Sequence, residues 1–177
     1  TSMNETLKIL KERRSIRSFR PEPVREEDLN AILEAGIYAP SAKNLQSTKL
    51  VVVQDRETLA LLERVNAELF GDADGHPFYG APMAVVVLSD STYPCWLQDG
   101  ALVMGNLMNA AAALGVGSCW INRAKETFET PEGKALLAKW GLDPEKYIGV
   151  GYCILGYPAP NGTRTPGPRK AGYVLHV

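Results

Sequence analysis

Arg13-Arg14-Ser15-Ile16-Arg17-Ser18-Phe19-Arg20 packs four arginines into eight residues. The 177-residue chain has formal net charge −1, so this is a local positive site and not part of a basic protein. Guanidinium forks match phosphate oxygens, and hydroxyl donors lie within the same block. The stretch therefore suits a bound phosphate and hints at a phosphorylated cofactor. A plainer reading stands beside it: basic residues at the end of a helix offset its dipole and need no ligand. A second stretch, Ala39-Pro40-Ser41-Ala42-Lys43-Asn44-Leu45-Gln46, reads as a small polar turn after a helix. Taken alone, Ser41 and Asn44 are ordinary turn formers.

Working outward, residues 3–13 read as a helix with Met3, Leu7 and Leu10 on one face. Pro21 and Pro23 interrupt the chain, and Glu26, Glu27 and Asp28 place acid at the start of a second helix, lined by Leu29, Ile32, Leu33 and Ile37. The β-branched run at 49–54 reads as a buried strand, and 56–69 as a helix with Leu59, Leu62, Val65 and Leu69 as its stripe. A Gly- and Asp-rich mobile loop is expected at 71–80, then a buried strand at 83–88. The segment 96–114 is apolar nearly all round, which predicts a helix buried on most sides and ended by Gly115. Strands at 118–122 and 148–155 flank a short helix at 132–140. Residues 156–172 are rich in Pro and Gly, and the last five residues are strand-like again. Strands alternating with helices give an α+β or α/β core in one domain, 1–177, with no internal repeat. A structureless stretch of that length followed by a strand is odd in a compact monomer. The simplest reading is an extended arm that crosses a partner subunit.

Hydrophobic residues make up 45% of the chain and charged residues 22%, the balance of an ordinary soluble protein. Near-zero net charge argues against nucleic acid, which needs a broad basic face. No apolar run approaches the ~20 residues that span a bilayer. No segment has the form of a signal peptide, and Thr1-Ser2 reads as a cloning remnant. The three cysteines, Cys95, Cys119 and Cys153, have no metal-ligand spacing. Buried free thiols and the absence of a disulfide framework make the cytoplasm the expected compartment.

Only His76 and His176 are available, so neither a Ser-His-Asp triad nor a two-histidine metal site is expected. No P-loop, Gly-x-Ser-x-Gly or Gly-x-Gly-x-x-Gly motif occurs. Asp99, at a helix start, reads as a dipole partner and not as an acid. An enzyme without an evident nucleophile, base or metal takes its chemistry from an organic cofactor.

Order and spacing sharpen this reading. Arg13-Arg14-Ser15-Ile16-Arg17, Ala39-Pro40-Ser41-x-x-Asn44-x-Gln46, Asp99-Gly100-Ala101, Leu114-Gly115-Val116-Gly117-Ser118-Cys119-Trp120-Ile121, and Gly156-Tyr157-Pro158 before Arg169-Lys170 follow one another along nearly the whole chain. In these five blocks the chain resembles the nitroreductase family of FMN flavoproteins. The resemblance implies a three-layer α/β/α sandwich of α+β class with a mostly antiparallel central sheet. It also implies an intertwined homodimer, with FMN at the subunit interface and a C-terminal arm, 156–177, on the partner.

By position, Arg13, Arg14 and Ser15 would hold the phosphate and ribityl chain, with Arg169 helping from the tail. Arg17 would lie near the flavin pyrimidine edge and stabilise the reduced flavin, raising its potential. Pro40, Ser41 and Asn44 would arrive from the other subunit. Ile121, Asn122 and Arg123 would lie by the ring. The implied activity passes two electrons from NADH or NADPH through flavin N5 to an electron-poor acceptor, a nitroaromatic or quinone, by ping-pong kinetics. Other acceptors (an enone or halogenated aromatic) and a flavin-binding protein without turnover are the alternatives. The chain departs from the family pattern at Ser47-Thr48, where Pro-Trp is common, at Asn122-Arg123, where Gly or Glu-Gly is common, and at Gly167, where the tail often carries an earlier basic residue. Arg123 is expected to favour an anionic substrate or the extra phosphate of NADPH.

Overall fold

The computed structural model describes residues 4–177. Its elements run α1 (Glu5–Glu12), α2 (Glu26–Ile37), a 3-10 turn (Ala42–Asn44), β1 (Thr48–Val53), α3 (Arg56–Phe70), β2 (Met83–Asp90), α4 (Trp96–Ala113), β3 (Gly117–Ile121), α5 (Ala124–Thr127), α6 (Pro131–Lys139) and β4 (Tyr147–Gly156). The strands form one sheet of order β1-β2-β4-β3 in which every neighbouring pair is antiparallel.

Both faces of this sheet are covered. Ala84, Val86 and Leu88 of β2, with Tyr152 and Ile154 of β4, pack against Leu62 of α3, Ala124 of α5 and Leu136 and Leu137 of α6. Met83, Val85 and Val87, with Cys153 and Leu155, pack against Leu29 and Ile32 of α2 and Val103, Met104 and Leu107 of α4. An antiparallel strand usually alternates apolar and polar because one side is wet; here both sides are dry, so 83–88 is apolar without a break. Cys119 and Cys153 belong to opposite faces, and both are buried free thiols. Burial, with Cys119 adding to it and Arg13 opposing it, pushes the Cys153 thiol up to about 12.

Local chemistry sets the boundaries. Asn4 Oδ1 accepts from Thr6 N at 2.9 Å to start α1, and Asp55 Oδ2 accepts from Thr58 N at 3.0 Å to start α3. Thr130 Oγ1 accepts from Gly133 N at 3.0 Å, with Pro131 opening α6. Gly115, at φ 74°, ends α4 while Val116 N donates back to Ala111 O at 2.9 Å.

Several expectations are corrected. Helix α1 begins at Glu5, and Met3 lies outside the described residues. Leu7 and Leu10 are exposed and no residue of α1 is buried, because none of the other described residues covers that stripe. Helix α4 is buried along one face only, with Leu97 and Leu102 exposed. The last five residues form no strand: Tyr173, Val174, Leu175 and Val177 are exposed, and no neighbouring strand bonds to them. The 71–80 segment has neither helix nor strand, as expected of a loop, and its turns include Phe78, whose ring is buried 5.1 Å from that of Tyr152. The turn Ala42–Asn44 falls within the polar turn expected at 39–46, whereas helix α5 was not expected: it spans four residues, too short for apolar periodicity. Among the described residues no helix is long and apolar enough to cross a membrane.

Candidate functional site

The arginine block starts where α1 stops. Arg13 is the C-cap of α1 and turns extended at φ −52°, ψ 131°. The chain then runs beside the outer edge of β3 and the segment after β4. Ile16 N donates to Ser118 O at 2.9 Å, Ala159 N to Ser18 O at 3.0 Å and Arg20 N to Tyr157 O at 2.8 Å. Ile16 is buried against Gly117, where a Cβ would come within 3.0 Å of the isoleucine side chain. This close approach docks the block on the sheet.

The arginines do different things. Arg14 donates to Lys11 O at 2.7 Å and to Glu12 O at 3.4 Å, so its side chain caps the last carbonyls of α1. That is the plainer reading of a basic residue at a helix end, realised at one position. Arg13 does not do this: its Nη1 is buried and has no hydrogen-bond partner. Arg17 is exposed, with its guanidinium carbon 5.9 Å from the centroid of the Tyr79 ring. Among the described residues Arg13, Arg14 and Arg17 have no acidic partner within 4.0 Å. A cleft of about 250 Å³ lies beside the block, lined by Arg13, Arg14, Ser118, Thr163 and Arg164 among others. Arg169 donates to Gly167 O at 3.1 Å, a bond that stays within the C-terminal segment.

The polar turn after α2 is pinned from below. Lys43, Asn44 and Gln46 all have positive φ, 53°, 54° and 53°. Ser41 Oγ accepts from Gln46 N at 3.1 Å, and Asn44 Oδ1 accepts from Gln46 Nε2 at 3.1 Å. Asp99, buried in the first turn of α4, accepts from Ala42 N at 3.0 Å and from Ser47 Oγ at 2.8 Å. Asp99 is therefore a clamp on the turn, and Ser47, a departure from the family pattern, is its partner. No hydrogen bond or ion pair joins Pro40, Ser41 or Asn44 to the arginine block among the described residues.

At the end of β3, Ile121 is buried and Asn122 is exposed. Arg123 follows with φ 74°. Its Nε donates to Asn66 Oδ1 at 2.7 Å, and its guanidinium carbon lies 4.5 Å from the Phe70 ring centroid. Asn66 Nδ2 donates to Asn122 O at 2.9 Å. Asn66 is fully buried on α3 and was not marked by the sequence reading. Its signal was there: an amide four residues after Leu62, inside an apolar stripe, must find partners when buried.

Residues 10–157 match the model of the nitroreductase family. The chain belongs to the nitroreductase family. An FMN reductase [NAD(P)H] of Bacillus subtilis is 49% identical over 188 residues, covering 93% of this chain and 70% of that protein. A nitroreductase crystal structure with bound FMN from Bacteroides fragilis superposes with a TM-score of 0.90 at 31% identity, covering 99% of this chain and 100% of that one. A nitroreductase with bound FMN from Desulfitobacterium hafniense superposes at 0.87 and 32% identity, again over 99% and 100%. The α+β sandwich expected of a nitroreductase is the fold observed.

Proposed function

We propose that this nitroreductase-family protein is an FMN-dependent NAD(P)H oxidoreductase that delivers two electrons to a nitroaromatic or quinone by ping-pong kinetics. The observation that carries the reading is Arg13: a guanidinium nitrogen buried without a partner, in a block whose arginines pair with no carboxylate within 4.0 Å among the described residues. A buried cationic donor left unsatisfied is costly, and a phosphate supplies what it lacks. The FMN held by the Bacteroides fragilis and Desulfitobacterium hafniense relatives and the name of the Bacillus subtilis relative support the same cofactor and donor.

Bound FMN supplies the two-electron chemistry between nicotinamide and acceptor. The chain's own residues bind and orient it. Arg13 and the Ser15 hydroxyl hold the phosphate and ribityl chain, with Arg14 contributing from its cap position and Arg169 from the arm. Arg17 offsets the negative charge that reduction leaves at the pyrimidine edge. Main-chain groups of Ile121, Asn122 and Arg123 face the ring, with Asn66 holding the Asn122 carbonyl and the Arg123 side chain. Pro40, Ser41 and Asn44 reach the site from a second subunit of a homodimer. Exposed apolar Leu7, Leu10, Leu97 and Leu102, together with the arm's Tyr173, Val174 and Leu175, support that assembly, since such surface is usually covered by a partner. Arg123 selects an anionic acceptor or the additional phosphate of NADPH.

The test is the visible spectrum of protein purified without added flavin, followed by NADH or NADPH under anaerobic conditions. A flavin spectrum that bleaches supports the reading. Flavin that stays oxidised replaces it with a binding protein, and colourless protein that refuses added FMN overturns it.

A further inference from the structure

Tyr79 occupies a conformation that its side chain does not explain. Its φ is 52°, a region that bulky residues rarely enter and that glycine or asparagine fills without strain. The next residue, Gly80, has φ 74°, so two successive left-handed residues make this corner. The surroundings force it. Phe78 is buried in the core, and its N–H donates to Glu63 Oε2 at 2.8 Å. Tyr79 N donates to His76 O at 2.9 Å, and Ala81, buried again, donates its N–H to Phe78 O at 3.0 Å. The backbone is fixed on both sides of Tyr79 while its ring is left outside.

Nothing structural requires that ring. Tyr79 belongs to neither buried apolar cluster, and its hydroxyl makes no hydrogen bond among the described residues. What the ring does is lie under Arg17, 5.9 Å from the guanidinium carbon, within the range of a cation–π contact. Arg17 in turn has no acidic partner and no side-chain hydrogen bond among the described residues. Strain held in place by its surroundings is a mark of functional positions.

We propose that Tyr79 is a positioning residue: its ring face fixes the direction of the Arg17 charge and thereby sets the midpoint potential of bound flavin. This rests on the FMN reading above. A guanidinium free to turn into solvent is screened by water and stabilises a developing negative charge less than one held in place. The positioning is preorganised because α3, through Glu63, and the core, through Phe78, hold the backbone beneath the ring before any ligand arrives.

The experiment is a reductive titration of the FMN-loaded protein against reference dyes. Two variants separate the ring from the fold. Tyr79→Phe keeps the face and is expected to keep the wild-type potential. Tyr79→Gly removes the face and relieves the left-handed strain, so its melting temperature is expected not to fall. Its flavin potential is expected to drop as reduced flavin loses about tenfold in affinity relative to oxidised, about 30 mV for a two-electron couple. In an Arg17→Gln background Tyr79→Gly is expected to add no further shift. FMN-loaded Tyr79→Gly with the wild-type potential overturns the proposal, as does an equal shift in the Arg17→Gln background. Wild-type protein that takes up no FMN overturns the functional reading itself, and this inference with it.

Discussion

Arg123 donates through Nε to Asn66 Oδ1 at 2.7 Å, tying the turn after β3 to the last turns of α3. The same amide donates to Asn122 O at 2.9 Å, so one buried side chain holds two consecutive residues of the turn. Arg123 sits at φ 74°, and an arginine in that region needs outside support. The geometry of the candidate ring-facing turn is thus built by a helix, not by the turn's own sequence.

Asn66→Ala is expected to leave the Asn122 carbonyl and Arg123 Nε without partners. Losing partners for polar groups of this kind costs about 1–3 kcal/mol. Urea denaturation reads the loss directly. Asn66→Asp keeps an acceptor for Arg123 but lacks the donor for Asn122, so it is expected to fall between wild type and alanine.

Arg13→Ala tests the phosphate contact. A hydrogen bond to a charged group contributes about 1.5–3 kcal/mol, which is at least a tenfold weaker FMN affinity. Riboflavin lacks the phosphate and is expected to bind both proteins equally. Fluorescence titration with the two flavins gives the comparison, and equal losses for both would assign Arg13 a structural role.

Arg123→Ala addresses specificity. Its Nη nitrogens make no hydrogen bond among the described residues, and the Phe70 ring lies 4.5 Å from its guanidinium carbon. The expected result is a several-fold higher KM for NADPH and for anionic acceptors, with NADH little affected. Unchanged constants for all three would remove Arg123 from substrate recognition.

Asp28, Tyr157 and Arg25 give a pH dependence. Tyr157 donates its hydroxyl to Asp28 Oδ2 at 2.6 Å, and Arg25 pairs with the same oxygen at 3.2 Å. The Tyr157 bond first, and then Arg25, hold the Asp28 carboxyl below its ordinary value against the opposing effect of burial. Folding therefore favours the ionised form. Its stabilising contribution is complete above the unfolded pKa of about 3.9 and is lost as pH falls through the lower folded value. Tyr157→Phe removes the largest cause. It is expected to lower the urea midpoint at neutral pH, with the gap to wild type closing in acid.

The sequence alone determined the order and type of the main elements, because apolar periodicity is a local record of which side of a helix or strand is dry. It also marked 83–88 as a buried strand, and its five ordered blocks carried the family. Within the arginine block it could not tell the residues apart. Arg14 caps a helix while Arg13 keeps a buried, partnerless nitrogen, and that division depends on where the chain turns after Glu12. Neither Asn66 nor the clamp that Asp99 forms on the polar turn is legible in the sequence, because the partners are far along the chain: Arg123 is 57 positions from Asn66, and Ser47 is 52 from Asp99. The final five residues have strand-like composition, yet a strand exists only where a neighbour completes its hydrogen bonds. Local preference is written residue by residue, whereas partners, caps and strained corners such as Tyr79 are chosen when distant segments pack together.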